Sequence, residues 1–237
     1  MSSSDVSATG FAVLGFVSLT MSATALYIYG LAMSLEADKR FFHMVSFAIC
    51  AFASLAYLVM AFDLGRVEVD GRDVFYARYI DWAVTTPLLL VDLGFLAGMS
   101  AADVAGLCVW DVLMIAGGLF GALTTHVAAK YSFFAYGCVA FLFIVRSLYA
   151  ACGLAKEKRS PAVAARYNDL AMLTILVWFA YPIVWVLGEG GGFVSIDVEI
   201  ILYAILDVTA KVVFSLLLVS VRPEEHMKEE ERLVGRA

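Results

Sequence analysis

The stretch whose reading decides the fold is Ile196–Val221, IDVEIILYAILDVTAKVVFSLLLVSV, a long apolar run with Asp207 and Lys211 near its middle. It exceeds the roughly 20 residues that a helix needs to cross the hydrocarbon core of a bilayer. An ammonium in that position costs at least a few kcal/mol, roughly 2.5–3.5 on insertion scales. Asp207 lies four residues before Lys211, so both side chains project from one helix face and the carboxylate offsets that cost. A buried lysine is also the side chain that holds a carbonyl compound as a Schiff base. Taken alone, the pair also fits a plain structural staple between helices. Intramembrane ionisable groups are functional by default, and the pair is read here as a site.

Six further apolar runs precede this one: Phe11–Leu35, Phe41–Phe62, Val74–Gly98, Val104–Thr125, Tyr131–Gly153 and Leu170–Gly188. With the last run, Val198–Val221 at its most apolar, they predict an all-α membrane protein with seven transmembrane helices. The runs are continuous rather than alternating, which argues against strands. Composition agrees. Of 237 residues, 62% are hydrophobic and only 16% charged, too apolar for an ordinary soluble domain. A net charge of −6 without a basic stripe excludes a nucleic-acid partner. Cys50, Cys108, Cys138 and Cys152 are scattered singly, so neither a metal site nor a disulfide framework is expected.

Short polar connections make sequential helices antiparallel neighbours. Basic residues cluster after runs one and five (Lys39, Arg40, Lys156, Lys158, Arg159, Arg166) and in the C-terminal segment. The positive-inside rule therefore places the N-terminus outside and the C-terminus in the cytoplasm. The expected organisation is an extracellular tail over residues 1–10, a membrane domain over 11–221 and a charged cytoplasmic tail over 222–237. Met1–Gly10 has no basic residue and reads as a tail rather than a signal peptide. Between runs two and three, Asp70-Gly71 inside an alternating segment predicts a short extracellular β-hairpin, with a flexible polar loop as the alternative and no function attached to either.

The third run carries Arg78, Asp81, Thr85, Leu89 and Asp92 on one narrow stripe at 100° per residue. Residues this costly must face the bundle interior. Asp81 and Asp92 are roughly 16 Å apart along the axis, too far for a direct proton hop, and Lys211 is the natural group between them. Pairing Lys211 and Arg78 with Asp81 and Asp207 neutralises that core. Asp92, flanked by leucines and Val91, has no basic partner in view and is expected to rest protonated.

Ala77-Arg-Tyr-Ile-Asp-Trp-Ala-Val-Thr-Thr-Pro-Leu-Leu-Leu-Val-Asp92 and Leu206-Asp-Val-Thr-Ala-Lys211 resemble the third- and seventh-helix signatures of the microbial rhodopsins, and within them the bacteriorhodopsin-like outward proton pumps. Trp110–Leu123, Trp178–Trp185 and Glu199 extend the likeness, while the first helix matches weakly. The resemblance implies all-trans retinal as cofactor, bound to Lys211 as a protonated Schiff base. It implies Asp81 as counterion and proton acceptor, hydrogen-bonded by Thr85, and Asp207 as second counterion, hydrogen-bonded by Tyr57 and Tyr181. Arg78 would swing between the counterions and a release group of Glu189 and Glu199, and Asp92 would be the cytoplasmic proton donor. Trp82 and Trp178 would sandwich the polyene. Thr86, Leu89, Met114, Gly118, Phe134, Phe141 and Tyr181 would complete the pocket, with Asp111 protonated near the ring. Without Lys211, the same aromatic set would read as ordinary packing.

The triplet Asp81, Thr85 and Asp92 resembles the proton-pump pattern rather than the chloride, sodium or sensory ones. The expected function is a light-driven outward proton pump, not an enzyme, with protons, internal waters and the lipid bilayer as partners. It would be a multi-pass protein of the plasma membrane. A homo-oligomer, trimer or dimer, is left open. The alternative is a photosensor signalling through a partner protein. A transporter without chromophore is disfavoured because broken helices and repeats are missing. Departures from the family pattern are Phe134 in place of a tryptophan, Cys50 in place of a second-helix proline, and a shortened Gly188–Phe193 stretch that makes the alignment of Glu189 uncertain. Arg146 has no reading beyond snorkelling to the headgroups, and His43 and His126 read as interfacial.

Overall fold

The computed structural model describes residues 6–220. The N-terminal residues 1–5, Val221 and the whole of the predicted charged tail over 222–237, including its basic residues and His226, lie outside the described residues. Seven helices are long and apolar enough to cross a membrane: α1 Ala8–Met33, α2 Phe41–Ala61, α3 Tyr76–Ala97, α4 Ala101–Leu123, α5 Val127–Lys158, α6 Pro161–Gly190 and α7 Ile196–Val219. A single 3₁₀ turn, Ala37–Lys39, lies between α1 and α2. The helices pack in chain order, α1 against α2 through to α6 against α7, and α7 returns to α1 to close the ring. Helix α3 also packs on α5 and α6, so it runs through the interior rather than around the rim.

Local chemistry sets the helix ends. Ser7, Ser100, Ser160 and Ser195 cap α1, α4, α6 and α7 by accepting from backbone N–H groups of the first turn. Pro161 follows its cap at the first helical position, where no donor is missed. Helix α3 ends at Gly98, whose φ of 81° is the left-handed conformation that suits glycine. Arg159 then donates to the carbonyls of Phe95 and Leu96, at 2.6 and 3.1 Å, which satisfies the last turn of α3.

The bundle buries its ionisable groups within an apolar interior and also turns large apolar side chains outward. Asp81, Asp92, Asp111, Glu189, Glu199, Asp207, Arg78 and Lys211 are all buried, whereas Leu19, Leu26, Phe16 and Leu176 are well exposed. That distribution suits a lipid solvent, since an aqueous surface would not leave so many large apolar side chains uncovered. Helices α1 and α2 are joined by reciprocal bonds from Ser18 Oγ to the Ser54 carbonyl (2.9 Å) and from Ser54 Oγ to the Ser18 carbonyl (3.1 Å). Helices α4 and α5 approach backbone to backbone at Gly117 and Gly137. A Cβ on Gly117 would lie 2.8 Å from the Phe133 carbonyl oxygen. Helix α2 runs unbroken through Cys50, which replaces the expected proline and places its thiol 3.8 Å from Ser215 Oγ.

The predicted hairpin is present. Strands β1 Val67–Val69 and β2 Arg72–Val74 pair antiparallel with Val69 opposite Arg72. Asp70 and Gly71 both have positive φ, 51° and 76°, as a two-residue type I′ turn requires. Two π-helical turns interrupt the regular ladders, Val186–Gly190 at the end of α6 and Val208–Val213 within α7. Single π turns inside helices are frequent at functional sites, and the second contains Lys211.

Candidate functional site

Lys211 is the only buried lysine among the described residues. Its Nζ lies 2.6 Å from Asp207 Oδ1 and 2.8 Å from Asp81 Oδ2. The ammonium therefore joins α7 to α3 at the centre of the bundle. The two carboxylates are surrounded differently. Asp207 Oδ1 also accepts from Tyr181 (2.8 Å) and Trp82 (3.1 Å), and its Oδ2 accepts from Tyr57 at 2.6 Å. Asp207 is thus fully supplied with donors. Asp81 Oδ1, by contrast, is buried with no hydrogen-bond partner among the described residues. Thr85, expected at the Asp81 carboxylate, donates its hydroxyl to the backbone carbonyl of Asp81 at 2.9 Å. This is the common back-bond of a helical threonine to the residue one turn earlier.

A second cluster fills the hairpin end. Arg78 Nη1 lies 2.9 Å from Glu199 Oε1 and 3.5 Å from Glu189 Oε1, and its guanidinium sits 4.3 Å from the centre of the Tyr203 ring. Tyr79 and Tyr203 donate to Glu189 Oε2 at 3.0 and 3.2 Å. Arg72, from strand β2, donates to Glu199 Oε2 at 2.7 Å. Arg78 stands at the glutamate end of the swing expected of it and bonds neither Asp81 nor Asp207. The Lys211 group therefore holds two carboxylates against one ammonium and is not neutral by itself, whereas the pairing read from the sequence had it so. The hairpin, to which the sequence attached no role, delivers a charged group to the cluster. Glu189 lies within the π turn that ends α6, which brings it beside Arg78.

At the opposite end Asp92 is isolated. Among the described residues its one hydrogen-bond partner is Ser46, whose hydroxyl donates to Oδ2 over a long 3.4 Å, while Oδ1 has none. Leu89, Leu90, Leu93, Ile49 and Phe214 form the apolar core around that stretch of the bundle. Asp111 accepts from Thr86 at 2.6 Å across α3 and α4.

Between α3, α4, α5 and α6 lies a cavity walled almost wholly by apolar atoms. Its lining includes Trp82, Thr86, Met114, Gly118, Phe134, Phe141, Trp178 and Tyr181, all expected from the sequence. Leu89, also expected, is not among the lining side chains and packs in the apolar core that Phe141 and Trp178 share with it. Tyr79, Trp185 and Tyr203 are wall residues that the sequence reading missed. Trp185 stacks on Phe134 with ring centres 4.5 Å apart and donates to the Gly118 carbonyl at 3.2 Å. The wall position left smaller by Phe134 is therefore backed by a second aromatic ring. Tyr203 could have been found, since Glu199, Tyr203, Asp207 and Lys211 repeat every four residues on one helix face. Arg72 and Ser46 lie on other elements, and no local pattern singles them out.

Residues 9–224 match the family model described as bacteriorhodopsin-like protein. The chain belongs to the bacteriorhodopsin-like family of microbial rhodopsins. This rhodopsin is 39% identical over 192 residues to archaerhodopsin-3 of Halorubrum sodomense, covering 79% of its own chain and 74% of that protein. Among solved structures it is similar to the light-driven proton pump LR (Mac) of Leptosphaeria maculans, with a TM-score of 0.87, 34% identity, and 95% and 98% of the two chains covered. It is also similar to the light-driven proton pump rhodopsin CsR of Coccomyxa subellipsoidea, with a TM-score of 0.89, 34% identity, and 92% and 99% covered. The family is one of light-driven transporters, not enzymes, and implies a retinal chromophore. The residues present fit that group. A long apolar cavity wall suits a polyene. Trp82 and Tyr181 belong to both the wall and the donor set of Asp207, which brings the cavity to the side of Lys211.

Proposed function

We propose that this rhodopsin is a light-driven outward proton pump, with the hairpin end outside and the Asp92 end in the cytoplasm. The observation that carries the reading is the placement of Lys211 between Asp81 and Asp207, with Asp92 alone in the other half of the bundle. When bound to Lys211 Nζ as an all-trans protonated Schiff base, retinal supplies the light-driven change that makes the proton on that nitrogen mobile. Asp81 Oδ2 is 2.8 Å from Nζ and receives it. Asp207 is nearer still, but its four donors hold it as a carboxylate and leave the acceptor role to Asp81, which has an oxygen free of partners. Arg78 faces away from this pair, toward Glu189 and Glu199, and provides the path on to the outer end.

Asp92 returns a proton to Lys211 Nζ from the cytoplasmic side. The apolar side chains of Leu89, Leu90 and Phe214 keep water out of the turns between them in the resting state. Direction depends on that seal opening only after the outward transfer, because a proton exchanged with one side alone would return as it came. The similar chains described as proton pumps support the reading. The test is the pH of an unbuffered suspension of retinal-fed cells under green light. Acidification abolished by a protonophore is the expected result. Coloured cells with no pH change would sink the pump and favour a photosensor acting through a partner protein.

A further inference from the structure

The hairpin touches the buried charges through one side chain, Arg72. Its Nη2 donates to Glu199 Oε2 at 2.7 Å and its Nη1 to the Val194 carbonyl at 2.9 Å. One guanidinium thus fastens β2 both to a buried carboxylate and to the segment leading into α7. The other oxygen of Glu199 accepts from Arg78 at 2.9 Å. A carboxylate with each oxygen on a different arginine is held as an anion by charge-assisted hydrogen bonds. Glu189 is placed otherwise. Its Oε2 accepts from two neutral tyrosines, and its Oε1, 3.5 Å from Arg78, has no hydrogen-bond partner.

The charge balance of the connected interior makes this difference count. Arg72, Arg78 and Lys211 face four carboxylates, those of Asp81, Asp207, Glu189 and Glu199. The group is neutral when one of the four keeps a proton. Asp81 and Asp207 each touch Lys211, and Glu199 touches both arginines. Glu189 is the carboxyl left to keep it.

We propose that Arg72 is a positioning residue for proton release: by holding Glu199 as a carboxylate it assigns the releasable proton to Glu189 and ties the release to the seating of the hairpin. The inference rests on the outward-pump reading. Without Arg72, Glu199 has a single arginine, and the two glutamates share the proton more tightly between them. Release should then fall behind uptake from the other side.

The test uses the full chain loaded with retinal in lipid nanodiscs, a pH-indicating dye in the bulk, and infrared difference spectra after a single flash. In the unaltered chain release precedes uptake. In Arg72→Gln release is slowed by about tenfold or more, the worth of one charge-assisted bond, and the order reverses. Arg72→Lys, whose ammonium can still meet Glu199, restores the order. The carbonyl band of a protonated carboxyl that vanishes on release is missing in Glu189→Gln. An Arg72→Gln chain that keeps the order and the rate and merely melts at lower temperature overturns the inference and makes the arginine structural. If Arg72→Gln does not take up retinal, persistence of the vanishing band in Glu189→Gln overturns it instead. An unaltered chain that pumps while Arg72→Gln behaves identically sinks this inference alone; one that exchanges no proton with the bulk sinks the pump reading with it.

Discussion

Asp81, Asp207 and Asp92 are three buried aspartates with three environments, and those differences support the separate roles proposed for them. Asp92 meets only a distant serine hydroxyl in an apolar surround. Replacing it with Asn removes the proton it would return while nearly preserving its shape. Reprotonation at Lys211 Nζ should slow roughly 10²-fold or more, the usual worth of a positioned general acid, as read by flash absorption. An unchanged photocycle would remove Asp92 as donor. Among the described residues Tyr57 is the sole donor to Asp207 Oδ2. Tyr57→Phe leaves that oxygen buried and unpaired, at a cost of about 1–3 kcal/mol, visible as a lower thermal midpoint of the coloured protein. An unchanged midpoint would mean that the Asp207 site relaxes around the loss.

At the scale of elements, close approach and turn geometry set what the chain tolerates. Helices α4 and α5 touch through Gly117 and Gly137 beside the cavity wall at Gly118. Gly117→Ala places a methyl against the Phe133 carbonyl, a contact that no side-chain rotation relieves. About 1–3 kcal/mol of destabilisation is expected, with faster bleaching of the pigment on heating. Unaltered bleaching would show that the two helices can separate at little cost. The hairpin turn depends on positive φ at Gly71. Gly71→Val should cost about 1–2 kcal/mol locally and loosen β2, the strand that carries Arg72. Its effect on proton release should then follow that of Arg72→Gln in kind and be smaller in size.

For the whole molecule, seven apolar helices enclose paired charges that would be untenable singly and are held as networks, with Asp92 standing apart from them. The networks are divided along the bundle axis, with the arginines and glutamates at the hairpin end, Lys211 at the centre and Asp92 toward the other end. Net transport requires that the two ends face different compartments. A cysteine placed at exposed Glu68 on β1 should react with a membrane-impermeant maleimide in intact cells, since the four native cysteines lie in apolar helices. Labelling only after the cells are opened would reverse the orientation and, with it, the direction of pumping.

Seven spans were legible in the chain because continuous apolar runs of helix length have one physical solution in lipid, and the hairpin because Asp70-Gly71 accepts the backbone its turn demands. Asp81, Asp92, Asp207 and Lys211 stood out by their cost in such runs, and most of the cavity wall followed from the family motifs. Contacts between distant elements were not legible. That Arg78 turns to the glutamates, that Thr85 spends its hydroxyl on a backbone carbonyl, that Ser46 is the partner of Asp92 and that strand β2 lends Arg72 to Glu199 each depend on how separate helices and the hairpin are packed. Local pattern records which side chains a membrane would force inward; only the tertiary structure decides which of them meet, because hydrogen bonds of about 3 Å are set by packing between elements far apart in the chain.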